Sequence, residues 1–423
     1  MKRNRIGMSA VLTLALAGLV YPPASAQSSQ PHPRVIVVGV NGMEWDIIRP
    51  LLVRGDLPNL ARVIERGVYG KMRTLPAPNC PKIYSAIATS TPPEENGITG
   101  FFVGGKTANT KMLRQDPLWS ILSRNGVSVG MANVPATFPV MPVNGYMVSG
   151  MLTRGKGCED GVLCSPKLSE VTDGPAVYPS SFASELRENV GDFSIDCARM
   201  PDAEELKGQE ARVINAWLEQ VSRIRTQQTK LFDFLLTHHA TDFTMLVQSC
   251  EDRVGHWLYP IQPHNVGYDA KLHAVRPEAF PDQYRAFDRV LGTILQHVDA
   301  NTYLFVISDH GIKPLREFEE NHLGYHSMHD HGGTTPVIAK HDFADGDDVP
   351  GVFIALGPNI RRDVRMFGLP ISVFDVAPTI LRIYGIDPPK NMKGRILTEI
   401  FEKRASEQSI AGAGMGLGEQ SDH

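Results

Sequence analysis

The chain has 423 residues, 42% of them hydrophobic, with 42 Lys+Arg against 46 Asp+Glu and a formal net charge of −4. That length exceeds one typical domain but suits a large α/β unit carrying an insertion, and the acidic balance argues against a nucleic-acid surface. The cysteines number five, so in an oxidising compartment at least one thiol stays outside any intramolecular bridge.

Residues 1–26 read as an export signal. Lys2, Arg3 and Arg5 form a basic start, 6–20 is mostly apolar and uncharged, and Ala24-Ser-Ala26 supplies a small-residue cleavage pattern before Gln27. The apolar stretch is short for a bilayer span and runs into Pro22 and Pro23; the alternative is a retained anchor. Cleavage removes three basic residues and no acid, leaving 39 Lys+Arg against 46 Asp+Glu, a balance of −7. The expectation is an exported protein, periplasmic or secreted, with no stable membrane span after cleavage.

The run Arg34-Val-Ile-Val-Val-Gly-Val-Asn-Gly42 is continuously β-branched and closes on a Gly-bounded turn, which predicts a buried first strand. Leu57, Leu60, Val63 and Ile64 recur at helical spacing over 57–66, and Gly67 is placed to stop the helix. A second helix is predicted over 81–89, with Pro81 suited to its first turn. Helix then strand follow over 118–124 and 127–133, an alternation that points to βαβ units. From about 149 to 222 the pattern loosens into Gly, Pro and Ser and encloses Cys158, Cys164 and Cys197. This segment reads as a cap inserted over the sheet edge, with Cys158–Cys164 and Cys197–Cys250 as one way to pair four cysteines and Cys80 as the odd one. The core resumes with a helix through 231–236, a strand over 243–249, a helix over 284–298, a strand over 303–308, a late strand over 351–357 and a closing helix over 373–384. The predicted domain is 33–402, and the tail, 403–423, is expected to be disordered.

Asp252-Arg-Val-Gly-His256 and Asp309-His310-Gly311 each end one of the apolar strand-like runs. In an open parallel sheet ligands bind beyond the carboxyl ends of strands, so both clusters would meet along one edge. Asp252 and His256, at i and i+4 of a helical turn, can point at one cation, and Asp309 with His310 can serve a second. The alternative for these residues is a surface ion pair and a packed loop histidine.

Taken in order, Val38-Gly-Val-Asn-Gly42, Asp56-Leu-Pro-Asn-Leu60, Ala88-Thr89 with Asn96-Gly-Ile98, Asn133-Val-Pro135, the two clusters, Gly357-Pro-Asn-Ile-Arg361 and Asp375-Val-Ala-Pro-Thr379 resemble the alkaline phosphatase superfamily. The resemblance is to its type I phosphodiesterase/nucleotide pyrophosphatase-like branch and covers most of the mature chain. It implies a mostly parallel central sheet flanked by helices, with a nucleophile and two divalent metal ions at its edge, zinc first, manganese or iron otherwise. Asp252 and His256 match the ligands of one metal, and Asp309 and His310 match ligands around its neighbour.

Three positions depart from that pattern. Where the family has a metal-binding aspartate the chain has Asn41, either a neutral oxygen ligand or a residue tolerating a left-handed turn. Where the family has a Thr or Ser nucleophile the chain has Cys80, which a helix N-terminus and Lys82 would help to ionise, making it nucleophile, metal ligand or both; the alternative is a small buried helix-start residue. A sulfatase-type conversion of this cysteine resembles a Cys-x-Pro-x-Arg requirement, which Cys80-Pro-Lys-Ile-Tyr84 does not meet. Where a third histidine is expected the chain has Asp347, with His326, His329 and His331 as a nearby alternative source of imidazole. The function expected is hydrolysis of a small phosphorylated substrate, a diester or pyrophosphate before a monoester, with Lys82 and helix amides steadying developing charge. The alternatives are a non-catalytic relative that binds a phosphorylated ligand, or a sulfatase-like hydrolase.

Overall fold

The computed structural model describes residues 32–156, 165–199, 208–258, 277–314 and 349–402, with a few isolated positions between them. The predicted signal and tail, Asp347, and His326, His329 and His331 lie outside the described residues, as does Cys164 of the second suggested disulfide.

A ten-stranded sheet forms the centre. Its strands are β1 (Arg34–Val40), β2 (Val68–Arg73), β3 (Val129–Asn133), β4 (Gly145–Gly150), β5 (Val177–Tyr178), β6 (Phe243–Gln248), β7 (Thr302–Ile307), β8 (Gly351–Leu356), β9 (Val364–Arg365) and β10 (Ile371–Ser372). The spatial order is β9-β2-β8-β7-β1-β6-β3-β4-β5, and β10 pairs with β2. β1 runs parallel to β6 and β7, and β3 runs parallel to β6 and β4. The antiparallel pairs are β8 with β7 and β2, and β4 with β5. The sheet is therefore mostly parallel, as expected.

Helices cover both faces, which explains why β1 reads as an unbroken apolar run. Ile36, Val38 and Val40 pack into one apolar cluster, and Val35 and Val37 into the opposite one, as a period of two requires. The first face carries α1 (Trp45–Val53), α2 (Pro58–Glu65), α6 (Glu210–His238), α7 (Cys250–Leu258) and α8 (Ala279–Leu295). The second carries α3 (Cys80–Thr89), α4 (Leu118–Arg124) and α9 (Val376–Ile383). The predicted helices over 57–66, 81–89, 118–124 and 373–384 correspond to α2, α3, α4 and α9. The helix expected over 284–298 begins earlier, at Ala279, because Pro281 falls in its first turn, where no intrahelical amide partner is lost.

Five strands escaped the sequence reading: β5, β9 and β10 have only two residues each, and β2 and β4 lack a strand-like pattern. β2 carries Gly70, Lys71 and Arg73 and alternates buried with more exposed positions, so it lacks a hydrophobic run. β4 begins and ends in glycine. Within the segment read as a cap, β5 joins the sheet edge, α5 (Phe182–Asn189) buries Phe182 and Leu186, and the 29-residue α6 begins at Glu210. Cys197 and Cys250 form a disulfide across 53 residues of sequence, a closure worth on the order of 4 kcal/mol in the chain-entropy picture. Cys80 is free and buried.

Candidate active site

Because β1, β6 and β7 are adjacent and parallel, their carboxyl ends emerge side by side: Val40 faces Gln248, and Gly39 faces Ile307. The next residues of each strand are Asn41-Gly42, Ser249 with the first turn of α7, and Ser308-Asp309-His310. Gly42 makes the convergence possible. It takes a left-handed φ of 70°, and a Cβ there would lie 2.9 Å from the Cα and Cβ of Asp252, so a side chain is excluded on both counts. Asn41 is not among the positive-φ residues, so the left-handed position belongs to Gly42 and the turn-tolerance alternative for Asn41 falls. The amide of Gly42 donates to Asp309 Oδ1 at 3.3 Å, and that of Met43 donates to Ser308 Oγ at 2.9 Å, tying β1 to β7.

Cys80 enters from the other face, at the start of α3. Asn41 Nδ2 donates to its Sγ at 3.0 Å, and His310 Nε2 lies 3.9 Å from the same sulfur. His310 Nδ1 stands 2.9 Å from the carbonyl of Gly311, which can only accept, so Nδ1 carries a hydrogen and Nε2 is the nitrogen turned toward the site. Asp309 Oδ1 also accepts from the amide of His310, while Oδ2 lies 3.4 Å from His310 Nε2. Asp252 Oδ2 and His256 Nε2 are 3.5 Å apart on α7, as their i, i+4 spacing requires. Asn41, Cys80, Asp252, His256, Asp309 and His310 thus gather at one edge, and all but His256 are buried.

Two sequence expectations are corrected here. Helix amides and Lys82 were expected to ionise Cys80, yet burial, then the Asp309 and Asp252 carboxylates, push its thiol well above the ordinary range. Lys82 Nζ instead donates to the carbonyls of Pro76 and Ala77 at 2.6 and 3.3 Å. Its backbone amide is capped by the Asn79 side chain at 3.2 Å, and Pro81 has no amide hydrogen to offer. The helix start is therefore largely satisfied within the chain.

The donor set fits divalent cations. One atom each of Cys80, Asp309 and His310 lies within 4.8 Å of the others, all three buried. Asn41 Oδ1 and Asp309 Oδ2 are buried and have no hydrogen-bond partner among the described residues, a costly arrangement unless a positive charge completes it. Burial and nearby Asp252 raise the Asp309 carboxyl against the opposing pull of His310. A cation reverses such shifts by favouring the deprotonated ligands.

Sequence reading missed Tyr84, one turn after Cys80 on α3. Its hydroxyl packs against Gly39, where a Cβ would lie 2.5 Å from it, and burial followed by Asp309 pushes it well above the usual range. The i, i+4 spacing from Cys80 was the available signal.

The profile of the type I phosphodiesterase / nucleotide pyrophosphatase family matches residues 35–364. Human ectonucleotide pyrophosphatase / phosphodiesterase 5 is similar in fold, with 13% identity, a TM-score of 0.50, and coverage of 88% of this chain and 100% of that one. The murine form gives 12% identity, a TM-score of 0.50, and coverage of 87% and 100%. No curated protein sequence matches the chain significantly. A match over most of the residues, together with the sheet and its clustered edge, means that the chain belongs to the type I phosphodiesterase / nucleotide pyrophosphatase family of phosphoric ester hydrolases.

Proposed function

We propose that the protein is an exported, metal-dependent phosphodiesterase or pyrophosphatase in which Cys80 is the nucleophile. The observation that carries this is the buried Sγ held 3.0 Å from Asn41 Nδ2 and 3.9 Å from His310 Nε2, with Asp309 beside it. Two divalent ions, zinc first, would be held by Asp252 and His256 on one side and by Asp309, His310, Cys80 and the Asn41 amide oxygen on the other, with Asp347 a further ligand. When bound they supply charge for the thiol and for the leaving oxygen. The Cys80 thiol gives its proton to solvent, Sγ forms a bond to phosphorus as the bond to the leaving oxygen breaks, and the leaving oxygen takes a proton from solvent. Water then cleaves the sulfur–phosphorus bond, adding its oxygen to phosphorus and returning a proton to the sulfur. Asn41 Nδ2 holds the sulfur in line, and the Gly311 carbonyl, by holding His310 Nδ1, turns Nε2 toward the place of the cation.

The test is elemental analysis of the purified protein together with turnover of bis-p-nitrophenyl phosphate before and after chelation. Two metal equivalents and activity restored by zinc are expected. Metal-free protein that turns over nothing with any divalent ion would favour a phosphorylated-ligand binder, and an altered mass at the Cys80 peptide a sulfatase-like enzyme.

The site also fixes the direction of pH effects. Asp309 and Glu251, both buried, bind protons more tightly in the folded chain than in the unfolded one. Stability from these protons is fully present below the ordinary carboxylate range and is lost as pH rises through the raised folded values. Chelated protein is therefore expected to melt at lower temperature at pH 8 than at pH 5. Added zinc should close that gap, with affinity that rises with pH because the thiol and Asp309 must release protons. Equal melting temperatures at the two pH values would contradict this.

A further inference from the structure

The segment from Ser249 to Arg253 is anchored at nearly every residue. Ser249 Oγ donates to Asp196 Oδ1 at 2.6 Å, Cys250 is disulfide-bonded to Cys197, Glu251 Oε1 accepts from Arg225 Nη2 at 2.8 Å, and Arg253 Nη2 donates to Asp196 Oδ2 at 3.0 Å. Arg225 is itself braced by Gln283 Oε1 at 2.8 Å, and the Gln283 amide nitrogen donates to the Ala279 carbonyl at 2.8 Å. All six polar side chains in this network are buried. The remaining residue of the segment is Asp252, whose carboxylate reaches His256.

A helix start is where this rigidity is hardest to obtain. The first turn of a helix has no intrahelical partners for its amides and frays readily. Asp252 sits in the first turn of α7, only four residues after the end of β6. Its neighbour Glu251 is a second buried carboxylate, which without a partner would repel it and draw the same cation. Arg225 holds that charge away from the site, and Asp196 does the same for the Arg253 guanidinium. Two elements distant in sequence, α6 and the stretch before it ending at Asp196-Cys197, therefore both hold the turn.

Resting on the metal-dependent reading above, we infer that Asp196, with the Cys197–Cys250 disulfide, is a positioning device for the Asp252–His256 metal site, distinct from the site at Cys80. It touches neither substrate nor cation. It fixes the turn that presents both ligands, and the disulfide makes that site depend on an oxidising environment. The Cys80, Asp309 and His310 site, built on β7 and α3, does not share the clamp.

The test is site-resolved metal binding. Zinc affinity is measured by competition with a chromophoric chelator, and cobalt substitution reports the Cys80 site through sulfur-to-cobalt absorption. In Asp196→Asn one of two equivalents is expected to weaken about 10–100-fold, the range found when the support of a ligand is removed, while the sulfur-to-cobalt band persists. Arg253→Lys, which keeps a charge toward Asp196, should retain affinity that Arg253→Met loses. Cys197→Ser/Cys250→Ser should match Asp196→Asn; if the double variant does not fold, Asp196→Asn decides alone. Asp288→Asn is the control, since Asp288 is also a buried carboxylate, bonded to the amides of Asn59 and Leu60 at 3.2 and 2.8 Å, but supports α2. It should lower the melting temperature and leave both equivalents. Two unchanged equivalents in Asp196→Asn, with or without the lower melting temperature of the control, or loss of both equivalents together, overturns the positioning role. Wild-type protein that binds no divalent ion overturns the metal reading itself, and this inference with it.

Discussion

Cys80→Ala is expected to lower turnover of bis-p-nitrophenyl phosphate by about 10³-fold or more, the scale of losing a covalent nucleophile, while two metal equivalents remain bound. Removing Sγ deletes one soft ligand but leaves Asp309, His310 and the Asn41 amide oxygen beside the same position. A small side chain at a buried helix start costs little stability when the cap is intact, and the Asn79 cap does not involve the sulfur. Steady-state rates and metal content measured on the same preparation check both halves. Undiminished rate in the alanine variant would remove Cys80 from the chemistry and leave it a buried ligand.

The second large effect is expected at Asn41. Its amide nitrogen donates to the sulfur, an arrangement that suits an anionic sulfur. Asn41→Asp would put a carboxylate where the donor stands, a repulsion of about 4 kcal/mol at an effective dielectric near 20, so activity should fall by roughly 100-fold or more. A hydroxyl reverses the requirement, because it donates to a carboxylate. In a Cys80→Ser background the same Asn41→Asp change should therefore raise activity. This opposite sign, read from the four rates of a double-mutant cycle, is the measurement. If Asn41→Asp lowers activity equally in both backgrounds, the two residues do not compensate each other, and Asn41 acts only by its own oxygen.

Five of the site residues that sequence reading identified share one property: Asn41, Asp252, Asp309 and His310 follow the carboxyl end of a strand, and Cys80 starts a helix. Asp252 with His256, and Asp309 with His310, were legible because two apolar runs end on them and parallel strands bring such ends together. Cys80 was reached through the family resemblance, as the residue at the nucleophile position before the helix predicted over 81–89. Its ionisation was misjudged because burial cannot be counted along a chain: Lys82 is two residues away in sequence, yet it is engaged by Pro76 and Ala77. Asp309 and Asp252, remote in sequence, are the charges that act on the sulfur.

What the chain by itself determined is the α/β architecture and the location of the chemistry, since hydrophobic periodicity and strand ends are local properties that survive into the fold. The tertiary structure decided which partner each polar group meets. The grip of Asp196 on Arg253, the brace of Arg225 on Glu251, the direction of the Asn41 hydrogen bond and the rise of the Cys80 thiol all arise from groups remote in sequence that the fold brings together. Such pairings depend on distance in space and on exclusion of water, and neither is written in the spacing of residues along the chain.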